Sequence, residues 1–187
     1  MPVTQRGFSL PETLIAMAIS SLLLLGASRF LPGLQRAALQ QTRHQALDDE
    51  LWQRVYTVAK HLQRAGYCRG KCAGEPLIIN PQSNCVLVKW DANSNGKWDD
   101  TTPVSSDSTG FRLQNGILET LRGAASCHDK SWDKMTDPQM MRVTRFDVVR
   151  DNSAGFAPEL TITLAAESIS RPPQRSTAVY SITGYNL

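Results

Sequence analysis

The sequence predicts an α+β protein: a long N-terminal spine helix, membrane-spanning in its first half, packed on a C-terminal antiparallel β-sheet. Three observations carry this expectation. Thr13 to Ser28 contain no charged residue. Leu47, Leu51, Val55, Val58 and Leu62 then recur at the three- and four-residue spacing of a helix stripe. After Gly66 the pattern changes to short β-rich runs separated by turn signals. These shifts divide the 187-residue chain into a leader over 1–7, an apolar helix over 8–32, an amphipathic spine helix over 33–66 and a disulfide-containing sheet domain over 67–187.

The leader comes first. Arg6-Gly7-Phe8-Ser9-Leu10-Pro11-Glu12 runs directly into the uncharged stretch. A secretory signal is cut after its apolar stretch, whereas here the cleavable junction, Gly7/Phe8, lies before it. Cutting there discards the leader and keeps the apolar segment in the mature molecule. Crossing hydrocarbon takes ~20 residues, a length reached once Phe8 to Glu12 are included and Arg29 snorkels. A cytoplasmic Arg6 and a translocated remainder agree with the positive-inside tendency. Pro11 suits a helix's first turn, where an N–H has no intrahelical partner. Ser9 and Glu12 have capping-box spacing, yet a carboxylate at the edge of a span also tends to mark function.

The basic residue, Gly, Phe, spacing to Glu and apolar run together resemble the class III signal of type IV pilins and type II secretion pseudopilins. The resemblance implies that a prepilin peptidase cuts between Gly7 and Phe8 and that Phe8 is N-methylated. It further implies that Glu12, at the fifth mature position, pairs with the amino terminus of Phe8 on a neighbouring subunit and sets axial register. Pro11 departs from the aliphatic residue more usual there. The implied function is that of a J-type minor pilin, which assembles with other minor and major pilins to initiate or cap a filament. Implied partners are the peptidase, those pilins or pseudopilins, and inner-membrane lipid. The implied location is the inner membrane, single-pass, amino terminus cytoplasmic and C-terminal domain periplasmic, then the filament base or tip. A type II secretion pseudopilin, or a membrane-tethered periplasmic calcium- or ligand-binding module, are the alternatives.

Beyond the apolar segment, Pro32-Gly33 is expected to kink or melt the helix. Gln35 to Gln45 has few large apolar side chains. Trp52, Ala59 and Ala65 broaden the following stripe, Asp48, Asp49, Gln53, Arg54, Lys60 and Gln63 line the opposite side, and Gly66 is a natural stop. Strands are expected at Leu77–Ile79, Cys85–Val88, Phe111–Gln114 and Ile117–Leu121, the last two joined by the hairpin signal Asn115-Gly116. Val143, Phe146, Val148 and Val149 lie in another, with imperfect alternation. Leu160–Leu164 alternates cleanly, and Ala178–Thr183 follows the Pro172-Pro173 break.

Cys68, Cys72, Cys85 and Cys127 form an even set in a domain assigned to an oxidising compartment, which favours disulfides. Three connectivities are open; a bond from the 68–72 loop to Cys85 or Cys127 would staple the helix exit to the sheet. The competing reading is a zinc site using Cys-x3-Cys and His128. Asp91, Asn93 and Asn95, then Gly96, the Lys97 carbonyl and Asp99 match the first half of an EF-hand-like calcium loop. Thr102 stands where that loop needs a bidentate Glu, so no cofactor is required and calcium binding would be weak. The alternative is a polar turn closed by Asx hydrogen bonds. A net charge of +3, scattered along the chain, gives no basis for nucleic acid as a partner. His44, His61 and His128 have no partner motif, His44 and His61 being expected as exposed helix residues, and no catalytic fingerprint occurs, so no enzyme is expected.

Overall fold

The structure is a computed structural model that describes residues 9–99 and 106–187. Gly7 and Phe8, the expected processing positions, lie outside the described residues, as does Thr102. The chain divides into two compact units, Met1–Arg43 and His44–Leu187.

One helix, α1 (Leu10–Arg64), contributes to both units. Local melting, one of the two outcomes expected at Pro32–Gly33, does not occur, because α1 continues through both residues. A proline costs a helix ~3 kcal/mol. Ending and renucleating the helix would leave a turn of carbonyls and a turn of N–H groups without partners, which costs more. α1 ends where Gly66, at φ 85°, takes the left-handed conformation of a C-terminal stop. The Gly66 N–H donates to the Lys89 carbonyl at 2.9 Å.

In the second unit the expected single sheet is two. The strands β1 (Leu77–Ile79), β2 (Cys85–Lys89), β3 (Ser108–Gln114), β4 (Ile117–Arg122) and β5 (Asp133–Lys134) form an antiparallel meander. The strands β6 (Met141–Asp151), β7 (Glu159–Ser168) and β8 (Arg175–Thr183) form a separate antiparallel sheet. The helix stripe Leu47, Leu51, Val55, Val58, Ala59 and Leu62 is buried in one core with Val86, Val88, Phe111, Leu118, Phe146, Val148 and Leu160. That core therefore draws on α1 and both sheets. The uneven alternation near Val143 has a direct cause, a register shift between Val143 and Arg145 where one extra residue re-aims the strand. Asn115 (φ 52°) and Gly116 (φ 76°) both have the positive φ required by a two-residue hairpin turn.

β2 is buried on both faces, which alternation alone does not predict. Val86 and Val88 enter the core, while Cys85 and Leu87 belong to the opposite face. A second, smaller layer covers that face. A Cβ on Gly110 would come within 2.6 Å of the Trp132 ring and 2.9 Å of both Ala124 and Leu87, so only glycine lets the indole lie on the sheet. The Arg112 guanidinium stacks 4.3 Å from the centre of the same ring and pairs with Glu119 at 2.9 Å.

His61 is half-buried, not exposed as expected, with its ring edge-on to Trp90 and Phe111 at 5.0 and 5.2 Å. Burial, reinforced by Arg64 and Lys60, lowers its pKa to about 4. Its Nδ1 makes no hydrogen bond among the described residues, and its ring serves to pack against Trp90 and Phe111.

Candidate functional site

The first unit presents the most unusual surface. Leu14, Ile15, Met17, Ile19, Leu22, Leu23, Leu24, Leu25, Phe30 and Leu31 are each at least half exposed. An apolar surface of this extent is not left to water and marks contact with lipid or other helices. Its mean hydropathy over an 18-residue window is 1.9, long and apolar enough to cross a membrane. Three of its hydroxyls are satisfied within the helix. The Thr13, Ser21 and Ser28 hydroxyls donate to the carbonyls of Leu10, Ala18 and Leu25 at 2.8, 2.8 and 2.9 Å. Such back-bonding removes the desolvation cost that free hydroxyls would carry in hydrocarbon.

Glu12 stands at the helix start. Its Oε2 faces the Ser9 N–H and hydroxyl, both at 3.4 Å, while Glu12 N–H donates to the Ser9 carbonyl at 3.1 Å. The long contacts from Ser9 to the carboxylate give only the return half of a capping box, a loose cap. Glu12 is exposed and has no cationic partner among the described residues.

The cysteines and the polar loop meet at the other end of α1. Disulfides join Cys68 to Cys72 and Cys85 to Cys127. Of the three connectivities the sequence leaves open, this is the one with a closed local ring and a separate long-range bond, so no disulfide staples the 68–72 loop to the sheet. The second bond ties β2 to the segment that carries Trp132 over the outer face. The zinc arrangement is not formed either. Cys68, Cys72 and Asp91 do lie together, but both sulfurs are spent in a disulfide and zinc is held by thiolates.

Asp91, Asn93, Asn95 and Asp99 do converge, their side-chain oxygens accepting hydrogen bonds within the loop, whereas Lys97 enters it as an N–H donor to Asn95. Asp91 is buried and accepts N–H groups from Asn95 (2.9 Å), Gly96 (2.8 Å) and Arg69 (3.1 Å). Asn93 Oδ1 accepts from Asn95 N–H at 3.0 Å and Asn95 Oδ1 from Lys97 N–H at 2.9 Å. Asp99 receives the side-chain amides of Asn93 and Asn95 at 3.0 and 2.7 Å. Asp107, which sequence reasoning missed, closes the loop by accepting from Ala92 and Asp99 N–H at 3.1 and 3.0 Å. Its distance in sequence hid it; only the antiparallel start of β3 brings it back. Gly70 and Gly96 lock the loop against the Cys68–Cys72 ring, since a Cβ on Gly70 would lie 2.7 Å from the Gly96 carbonyl oxygen.

Burial by itself would raise the Asp91 carboxyl, but the N–H groups of Arg69, Gly96, Asn95 and Ser94 outweigh it and hold it below the usual carboxylate range. A depressed folded pKa gives stability that is present above the unfolded value of ~3.9 and lost as pH falls through the folded one. Asp91→Asn is therefore expected to lower Tm by several degrees at pH 7 and by much less well below pH ~3.9, where the wild-type carboxyl is also protonated. Thermal melts across that range check it, and an equal loss at both pH values would show that charge is not what organises the loop.

Comparison with known proteins agrees with this arrangement. The prokaryotic N-terminal methylation motif matches residues 3–28, and the family described as prepilin peptidase-dependent protein B matches residues 40–184. The prepilin peptidase-dependent protein B of Escherichia coli (strain K12) is 59% identical over 187 residues, covering 100% of both chains. Among solved structures, a type IV-like pilin from Thermus thermophilus superposes with a TM-score of 0.58 at 15% identity. It covers 76% of this chain and 98% of its own, a likeness of fold. With the methylation motif at its start, a family match over most of its length and a pilin fold behind it, the chain belongs to the prepilin peptidase-dependent protein B family of structural, type IV pilin-like proteins.

Proposed function

We propose that this chain is a minor pilin that assembles with other minor pilins to initiate or cap a type IV pilus-like filament. A prepilin peptidase cuts between Gly7 and Phe8 and Phe8 is N-methylated. The mature protein is then held in the inner membrane, amino terminus cytoplasmic and the His44–Leu187 unit periplasmic. The observation that carries this reading is the methylation motif leading into a helix whose apolar side chains from Leu14 to Leu31 are exposed. Lipid covers that surface before assembly, and close-packed helices of neighbouring pilins cover it afterwards. Glu12 then meets the amino terminus of Phe8 on the next subunit. For the loop from Asp91 to Asp99 we propose a scaffold role for which calcium is not required, because its side-chain oxygens already accept hydrogen bonds.

Mass spectrometry of the mature amino terminus tests the processing, with N-methyl-Phe8 as the expected species. An intact Met1, or any other amino terminus, would overturn it. Single cysteines placed from Leu22 to Leu25 test the assembly and are expected to crosslink to other pilins. A protein tethered alone in the membrane would give no such products.

A further inference from the structure

A groove of about 710 Å³ opens beside the Cys85–Cys127 bond, between the β1–β2 turn and the segment from Cys127 to Ser131. Arg112 lines it as a fixed guanidinium. Its Nε donates to Glu119 at 2.9 Å, its Nη1 to the Cys127 carbonyl at 2.8 Å, and its plane stacks on Trp132. Nη2 has no partner among the described residues. An arginine held this way offers its remaining N–H groups with little further ordering. Neighbouring side chains are left as donors too. Asn80 Nδ2 donates to Gln82 Oε1 at 3.1 Å and to Asn84 Oδ1 at 2.6 Å. Those bonds occupy the two carbonyl oxygens and leave the two NH2 groups. Lys130 and Ser131 add an ammonium and a hydroxyl. The carboxylate of Asp129 is already used, accepting N–H groups from Ala125 and Ser126 at 2.7 and 3.0 Å and the Ser126 hydroxyl at 3.0 Å. Ser131, and Ser83 between Gln82 and Asn84, have φ of 67° and 58°. Such left-handed backbone is unfavourable for a non-glycine residue and recurs at ligand sites.

We propose that this groove binds a carboxylate carried by a peptide, either a free carboxyl terminus or an Asp or Glu side chain. A surplus of donors calls for an acceptor ligand, and a carboxylate with backbone carbonyls beside it is one. Glu119 offsets the charge of Arg112, so the net attraction comes from the exposed Lys130 while Arg112 supplies direction. No Phe, Tyr or Trp lines the groove among the described residues, which leaves a sugar ring or a nucleobase no platform to stack on. The site belongs to the His44–Leu187 unit and does not depend on filament assembly.

Fluorescence anisotropy with the full chain in detergent micelles tests this. The probes are short glycine-serine peptides labelled at the amino terminus: one with a free carboxyl terminus, its carboxyl-terminal amide, and that amide with a central aspartate. At least one of the two acidic peptides is expected to bind and the neutral amide is not. Which acidic peptide binds identifies the source of the carboxylate. Lys130→Glu, at an exposed site that spares the fold, is expected to weaken binding about tenfold or more, the loss of a charge-assisted hydrogen bond. Arg112→Lys keeps the charge beside Glu119 but removes the planar fork, and is expected to weaken binding as well. Equal binding of the neutral amide, no binding of either acidic peptide at millimolar concentration, or undiminished affinity in Lys130→Glu would each overturn the proposal.

Discussion

Glu12→Gln is expected to leave membrane insertion and amino-terminal processing at wild-type levels while incorporation into filaments falls about 100-fold or more. The magnitude follows from removing one partner of a desolvated ion pair, which typically costs ~3–5 kcal/mol because the other charge is left uncompensated. Here the stranded charge would be the amino terminus of Phe8 on the neighbouring subunit. Glutamine retains the oxygen that faces Ser9, so the loose cap at the start of α1 survives. That separates the two roles of the side chain. Quantifying the protein in sheared filaments against the membrane fraction gives the readout. Undiminished incorporation would mean that Glu12 serves only as a cap.

Removing the Cys85–Cys127 bond is expected to cost about 4 kcal/mol of stability, against about 2 kcal/mol for Cys68–Cys72. The difference comes from the sequence separations of 42 and 4, since a crosslink restricts the unfolded chain more when it closes a longer loop. Structure points the same way. Cys85–Cys127 holds the layer carrying Trp132 over Gly110, so its loss should also expose the outer face of β2. The 68–72 ring is held besides by the contact of Gly70 with Gly96. Paired Cys→Ala variants of the full chain, unfolded in denaturant in detergent, give both values. Equal losses would reject this ordering.

Much of the secondary structure was legible because its causes are local. The stripe from Leu47 to Leu62 and the Asn115-Gly116 turn follow from helix period and positive φ, and the structure has both. Pro32-Gly33 misled for the complementary reason: a local breaker was weighed without the helical hydrogen bonds on either side of it. His61 misled because a polar side chain at the margin of a stripe reads as exposed until Trp90 and Phe111 are folded against it.

By itself, the sequence determined the class of protein. A charge-free run behind Arg6-Gly7-Phe8 and before an amphipathic stripe is a one-dimensional pattern, and processing and membrane insertion act on the chain in that dimension. Only the tertiary structure decided the cysteine pairing, the split into two sheets and the return of Asp107 to the Asp91 loop. Each depends on which distant segments become neighbours. Packing many side chains at once sets those neighbours, and no residue spacing encodes them.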